Sequence, residues 1–542
     1  MPRWVRFSLW VAVLALALAL RVPALTAGLP YFSYVDEGHV LHPALRMAGT
    51  RSWDPGWYQY PSLPMGAIAG AVLLNAPGYA AFHGHPLADD LTEEPSRYYD
   101  LVEPAEVIVV ARLLVLAVSS GVVLLTGLLA RRLAGDAAGL FAALLAALVP
   151  ALVIRSAIVT TDPWAAFFVL AAIYCAESAL RAERPAVQTG LAGISGLMIG
   201  CALTSKYPGV LVAVAVVPAL LRAAGDWRRR ALLVGIATAA ALLAAALTMP
   251  ALVLRSGDVM ADISRQARLY GTVSEGYWRQ AVGRAEWDQP FDGPEMGILL
   301  VSCALLGGIT GLRDRRLAWT VLAWALYAGT LAFLLCRFPL RPFRNLLPLV
   351  PLACVLAALL LSWVRQRVRR PVWVDAAAAL AALALLLPGD VAFALDRAGL
   401  PDARSEAIAW VAARTGPGDR VLVSEELAVA GSEFNRLRAE ALVLDVARAR
   451  ARLRRRGDVK FVITGELASA TGLPDLPEGG RPDSPFVLAA LFGEPPGTTR
   501  WDSLRQLRSW WRSNDETVLV YRRAATAADI APKPGIFPHG NR

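Results

Sequence analysis

Two adjacent carboxylates, Asp36 and Glu37, follow the first hydrophobic stretch of the chain, within the run Tyr34-Val35-Asp36-Glu37-Gly38-His39. A carboxylate at the edge of a bilayer is costly to keep there and points to function. Its natural chemistry is that of a general base, taking a proton from a hydroxyl as that hydroxyl attacks. The plain alternative is that both residues open a surface helix, where acidic side chains suit the positive end of the dipole. Asp36 and His39 are three apart, as are His39 and His42, so on a helix they share a face. Asp-x-x-His could contribute to a divalent-cation site, although the motif holds no third ligand.

Other polar residues break an otherwise apolar chain in a few places. Trp57-Tyr58-Gln59-Tyr60-Pro61-Ser62-Leu63 is an aromatic and polar cluster, and His83 and His85 lie further along the same stretch. Arg155 stands close before Thr160-Thr161-Asp162-Pro163, and Ser205-Lys206-Tyr207-Pro208 separates two apolar runs. Arg337, Arg341 and Arg344 precede another. Each has an ordinary reading. Asp162 and Pro163 suit the N-cap and first position of a helix, with Arg155 as ion-pair partner. Lys206 could snorkel to the interface, and the three arginines could meet lipid headgroups. The functional reading is a phosphate site, where lysine serves as a point charge. Lys206 stands out because the only other lysines are Lys460 and Lys533. Tyr270, Tyr277, Trp278 and Trp287 read as an interfacial aromatic belt, or as surfaces on which sugar rings stack.

The elements that must position these residues are membrane helices. The 542 residues are 56% hydrophobic and only 18% charged, and the mean hydropathy is +0.46, too apolar for a soluble protein of this size. Runs near the ~20 apolar residues needed to cross a bilayer fall at about 7–24, 108–130, 136–154, 163–181, 190–205, 207–222, 231–250, 296–312, 317–335, 346–363 and 372–393. That predicts about eleven transmembrane helices, the first an uncleaved helix rather than a removed signal. The net charge of +10 does not point to nucleic acid, because the arginines punctuate the apolar runs. Arg131-Arg132, Arg181 and Arg184, Arg222 with Arg228-Arg229-Arg230, Arg313 with Arg315-Arg316, and Arg365 to Arg370 occupy every second turn. These turns are expected inside, which puts the loops 25–107 and 251–295 and every polar cluster above on the outer side.

The composition changes near residue 399. Helical periodicity after Asp402, a turn at Pro417-Gly418-Asp419, and strand patterns at 420–424, 441–444, 460–464 and 517–521 predict a small, largely parallel α/β domain. The expected organisation is thus a mainly α, polytopic membrane domain over 1–398, a soluble extracytoplasmic α/β domain over 399–525, and a disordered tail over 526–542. The run Arg448 to Arg456 reads as a solvated helix face. The five cysteines lie in or beside apolar runs, so no disulfide framework is expected.

Taken in order, these features resemble the C-type glycosyltransferases that use polyprenyl-phosphate sugar donors, among them protein O-mannosyltransferases and the aminoarabinose transferases of lipid A. The resemblance runs over about 1–365. It rests on Asp36-Glu37 opening a long outer loop, Tyr60-Pro61-Ser62-Leu63, Ala111-Arg112, Pro150 followed by Thr161-Asp162, Thr204-Ser205-Lys206-Tyr207, and Arg344-Asn345 with Pro348. Gln59-Tyr60 departs from relatives that carry a basic residue just before the proline, so no phosphate role is carried over to that position.

The resemblance implies a multi-pass plasma (inner) membrane enzyme that moves a sugar from a polyprenyl-phosphate donor to a hydroxyl on a protein, lipid or cell-envelope glycan acceptor. Asp36 is then the base, with Glu37 beside it able to share the duty, and Asp162 the second acid. Lys206 and Arg344 bind the donor phosphate, and Tyr60, Arg155 and Tyr207 complete the substrate site. No cofactor is certain; a divalent cation on Asp36 and Asp162 stays open. The expected partners are the donor, the acceptor and membrane lipids. A transporter or lipid-linked sugar flippase is the rival class. It predicts charges near the bilayer midplane and internal repeats, and the sequence displays neither. A non-catalytic membrane anchor would leave two long polar loops unexplained. An oligosaccharide ligase is a close chemical cousin.

Overall fold

The computed structural model describes residues 2–29, 31–32, 36–84, 86, 105–156, 158–272, 297–338, 343–399, 402–424, 427, 434, 436–437, 439–444, 459–465, 486–492 and 518–523. Two compact units result, Met1–Thr26, Asp36–Glu94 and Glu106–Ala398 forming the first, and Ala27–Val35, Pro95–Ala105 and Gly399–Arg542 the second.

The first unit is helical. Its apolar helices are α1 (Arg3–Arg21), α3 (Leu63–His83), α4 (Glu106–Ala134), α5 (Asp136–Leu148), α7 (Asp162–Leu180), α8 (Pro185–Ser205), α9 (Ala213–Arg222), α10 (Trp227–Thr248), α13 (Ile298–Arg313), α14 (Ala318–Cys336), α15 (Leu349–Arg365) and α16 (Pro371–Gly399). Short or amphipathic helices lie between them: α2 (Asp36–Thr50), α6 (Pro150–Arg155), α11 (Ala251–Leu254) and α12 (Ser256–Thr272). Among the described residues, eight helices can cross a membrane by length and composition, and four shorter apolar helices accompany them. Each of the eleven predicted spans coincides with apolar helix. The difference is α3, which lies inside the stretch expected to be one long outer loop. Asn75, Pro77 and Gly78 interrupt its apolar run, and the helix continues through them.

Small residues let the bundle close. Gly196 and Gly200 are four apart on α8, and a Cβ at either would collide with the backbone carbonyl oxygen of Ala237 or Ala241 on α10. This is the small-xxx-small contact by which membrane helices approach closely. It fixes α8, whose C-terminal end delivers Lys206. There the helix stops because Pro208 offers no N–H to continue it; Lys206 is extended, and its carbonyl accepts from the Gly209 amide at 2.7 Å.

The second unit carries a five-stranded sheet in the order β2-β1-β3-β5-β4, with β1 (Arg420–Ser424), β2 (Glu440–Leu444), β3 (Val459–Gly465), β4 (Phe486–Phe492) and β5 (Val518–Arg523). β2, β1 and β3 are parallel, while β5 and β4 join antiparallel, so the sheet is mixed rather than largely parallel. Phe486–Phe492 is a strand that the predicted set lacks. Val421, Val423, Phe461, Ile463, Val518 and Val520 turn one face toward Ala407, Ile408 and Val411 of α17 (Ala403–Ala412). The residues Arg448 to Arg456 and the tail lie outside the described residues.

Candidate functional site

A cavity open to solvent is lined by Asp36, Val40, Tyr60, Thr160, Thr161, Asp162, Lys206, Tyr270 and Arg344. Six separate stretches of the first unit meet there. Asp36 opens α2, and Asp162 opens α7 behind Thr161, the residue at the N-cap. Asp162 is thus the first helical residue rather than the cap itself. Lys206 follows α8, Arg344 lies in a 3-10 turn (Phe343–Leu346), and Tyr270 is in the last turn of α12.

The cavity holds two ion pairs. Arg344 pairs with Asp36, and Lys206 with Asp162. The cation of Asp162 is therefore Lys206, not Arg155. Asp162 is 3% exposed, and the other three are about 15% exposed, so the pairs are little screened by solvent.

The neighbouring carboxylate behaves differently. Glu37 is fully buried and receives two parallel bonds from Arg112 of α4, Nε at 3.1 Å and Nη2 at 3.0 Å. Its Oε1 also accepts the Val159 amide at 3.0 Å, and Arg112 reaches the Leu25 carbonyl at 3.1 Å. Glu37 does not line the cavity. It ties the first turn of α2 to α4 and to the turn that leads into Asp162.

Arg155 is buried at 1% exposure and lines a second cavity with Ser119, Val122, Leu152, Pro163, Ala166 and Leu347. Tyr207 lines neither; its hydroxyl donates to the Tyr58 carbonyl at 2.6 Å. Arg337 is exposed, with its guanidinium 5.0 Å from the Phe333 ring. His83 (its side chain), His85, Arg341, Tyr277, Trp278 and Trp287 lie outside the described residues.

Tyr60 belongs to an aromatic group beside the cavity. His39 stacks on Trp57 at 5.5 Å between centroids, and Trp57 meets Tyr60 at 5.6 Å. Burial pushes the His39 imidazole below its usual pKa, and burial followed by the nearby His39 pushes His42 down to about 4. Tyr270, one of the aromatics read either as an interfacial belt or as surfaces for sugar rings, packs edge-on against Phe338 at 6.1 Å and lines the cavity.

Among the described residues, the donor set does not suit a resident divalent cation. Asp36 and Asp162 already have cationic partners, and the described residues contain no group of three or more His, Cys, Asp or Glu placed to hold a metal.

Comparisons with known proteins bear on the family and the fold. Residues 93–254, which include Arg112, Asp162 and Lys206, match the model of the family described as dolichyl-phosphate-mannose-protein mannosyltransferase. The fold is that of ArnT from Cupriavidus metallidurans. In its apo state ArnT aligns over 98% of this chain and 99% of its own, with 14% identity and a TM-score of 0.54. ArnT bound to undecaprenyl phosphate aligns over 96% and 98%, with 15% identity and a TM-score of 0.50. The oligosaccharyltransferase of Archaeoglobus fulgidus aligns over 84% of this chain and 68% of its own, with 15% identity and a TM-score of 0.46. No curated protein matches the chain. The resemblance to polyprenyl-phosphate-dependent glycosyltransferases and the polytopic helical fold with a small C-terminal sheet are borne out.

Proposed function

We propose that the protein transfers a sugar from a polyprenyl-phosphate donor to an acceptor hydroxyl at the outer face of the plasma (inner) membrane. The observation that carries this reading is the cavity in which two carboxylates and two cations, drawn from four distant parts of the chain, form paired charges. The family match supports it, as does the undecaprenyl phosphate bound by a protein of the same fold.

The chemistry follows from charge. Asp36 takes the proton of the acceptor hydroxyl as its oxygen attacks the anomeric carbon. The bond from that carbon to the phosphate oxygen breaks, and the electron pair leaves with the lipid phosphate. Phosphate is a good leaving group, so the step needs stabilising positive charge more than a general acid. Lys206 and Arg344 supply that charge. An incoming phosphate competes with Asp36 for Arg344, and a carboxylate relieved of its cation is the better proton acceptor. Glu37 supports this site through Arg112 rather than sharing the base's work. The acceptor belongs to the hydroxyl-bearing class of protein, lipid or envelope glycan.

The test is direct. Purified protein is incubated with undecaprenyl-phosphate mannose, dolichyl-phosphate mannose or undecaprenyl-phosphate aminoarabinose together with a cell-envelope extract, and products are read by mass. Sugar-dependent mass gain on an extract component, with release of the lipid phosphate, is expected. Intact donors in every mixture, with folded protein, would overturn the reading.

A further inference from the structure

A polar network outside the cavity brackets the peptide of Tyr58. Its amide donates to Oδ2 of Asp262 at 2.9 Å, and its carbonyl accepts from the Tyr207 hydroxyl at 2.6 Å. The Tyr58 hydroxyl donates to Asp54 at 2.6 Å, and Asp54 pairs with Arg255 at 3.1 Å. Below these bonds Tyr58, Met249, Ala251 and Val259 pack together, with Tyr207, Leu252 and Ile263 against them. The network therefore joins three stretches remote in sequence: the connection before α3, the turn after α8, and α11 with α12.

Each stretch carries one wall of the cavity. Tyr60 lies two residues beyond Tyr58, Lys206 directly precedes Tyr207, and Tyr270 lies about two turns beyond Asp262 on α12. Asp262 is 9% exposed, and its other oxygen is met by Arg265 at 3.1 Å, a side chain that is largely exposed. Apolar packing alone would hold α12 in place without fixing how far it slides along the Tyr58 segment. A hydrogen bond from one amide to a nearly buried acceptor oxygen fixes that register.

We infer that Asp262 is a positioning residue for the transfer site, setting Tyr60, Lys206 and Tyr270 in register around the cavity by holding the Tyr58 amide. The inference rests on the reading of that cavity as the donor site. It predicts that the acceptor oxygen at position 262 matters, and that its charge matters less.

The experiment measures binding of undecaprenyl phosphate to the purified full chain, alongside the thermal midpoint. Asp262→Ala should weaken binding about tenfold or more, with the midpoint within about 3 °C of wild type. Asp262→Asn keeps an oxygen for the Tyr58 amide and should restore binding to near wild type. Unchanged binding in Asp262→Ala overturns the inference. So does an Asp262→Asn variant as weak as Asp262→Ala, or a loss of binding that merely tracks a falling midpoint. Wild-type protein that binds no undecaprenyl phosphate removes the donor-site reading itself, a failure visible before any substitution is made.

Discussion

At the scale of single residues, the two paired carboxylates of the cavity are expected to carry different burdens. Asp36→Asn keeps shape and hydrogen bonding but not basicity, so transfer should fall at least the ~10²-fold typical of a lost general base. Donor binding should hold or tighten, because Arg344 is released from its carboxylate partner. In Asp162→Asn the start of α7 is preserved, because Thr161 occupies the N-cap, so any loss reports on Lys206 and the site. That loss should be the smaller of the two; turnover of Asp36→Asn near the wild-type rate would remove it as base. Glu37 and Arg112 make a stability prediction instead. Arg112→Ala strands a fully buried carboxylate and should destabilise by about 3–5 kcal/mol, read as a lowered thermal midpoint or lost folded yield. Asp36, Asp162, Lys206 and Arg344 were legible in the sequence because charge stands out against apolar runs. The different surroundings of Asp36 and Glu37 were not, since identical acidity in adjacent positions says nothing about which side chain finds a buried arginine 75 residues away. Tyr270 was legible only as one of four aromatics open to two readings, an interfacial belt or a sugar-stacking surface, until the fold placed it at the cavity.

At the scale of elements, the helices were readable because apolar length is a strong signal, and their contacts were not, because they depend on which glycines meet which backbone. Gly200→Val forces a branched side chain into the Ala241 carbonyl and should cost about 1–3 kcal/mol by overpacking. It should also disturb Lys206 at the end of the same helix, weakening donor binding. Gly190→Ala on the open part of α8 is the control, expected to be neutral in the same thermal and binding measurements. Helix α2 carries a pH dependence. His42 titrates near 4 in the folded protein against an ordinary 6.5, chiefly because it is buried. Between those values the unfolded chain binds the extra proton and the folded one does not. Stability is therefore complete above about pH 6.5 and declines as pH falls toward 4, by roughly 3 kcal/mol. The midpoint of His42→Gln should decline less over this window; identical slopes would show that other groups set the acid sensitivity.

At the scale of the whole molecule, the cavity and the arginine pattern bear on the same question from independent directions. If α1 leaves the cytoplasm, and eleven crossings follow the predicted spans, then Arg131, Arg184, Arg229, Arg315 and Arg369 all fall inside. The same parity puts the start of α2, the start of α7, the end of α8 and the turn before α15 on the opposite side. Those are the four places that supply Asp36, Asp162, Lys206 and Arg344, and the fold brings them to one cavity. A twelfth crossing at α3 would reverse every later helix, sending Arg131 and Arg132 outward and parting Asp36 from Asp162 by the thickness of the bilayer. Helix α3 is therefore expected to lie along the membrane surface although its composition would let it cross. The orientation can be checked by thiol labelling in a Cys336→Ser background, because Cys336 is the exposed cysteine. Ala413→Cys, on the exposed end of the region after α17, should react with a membrane-impermeant maleimide in intact cells or spheroplasts. Arg315→Cys, in the exposed turn between α13 and α14, should react only after lysis. The reverse pattern would place the cavity on the cytoplasmic side and overturn the topology. Labelling of both positions in intact cells would mean an even number of crossings between residues 315 and 413, in place of the three expected.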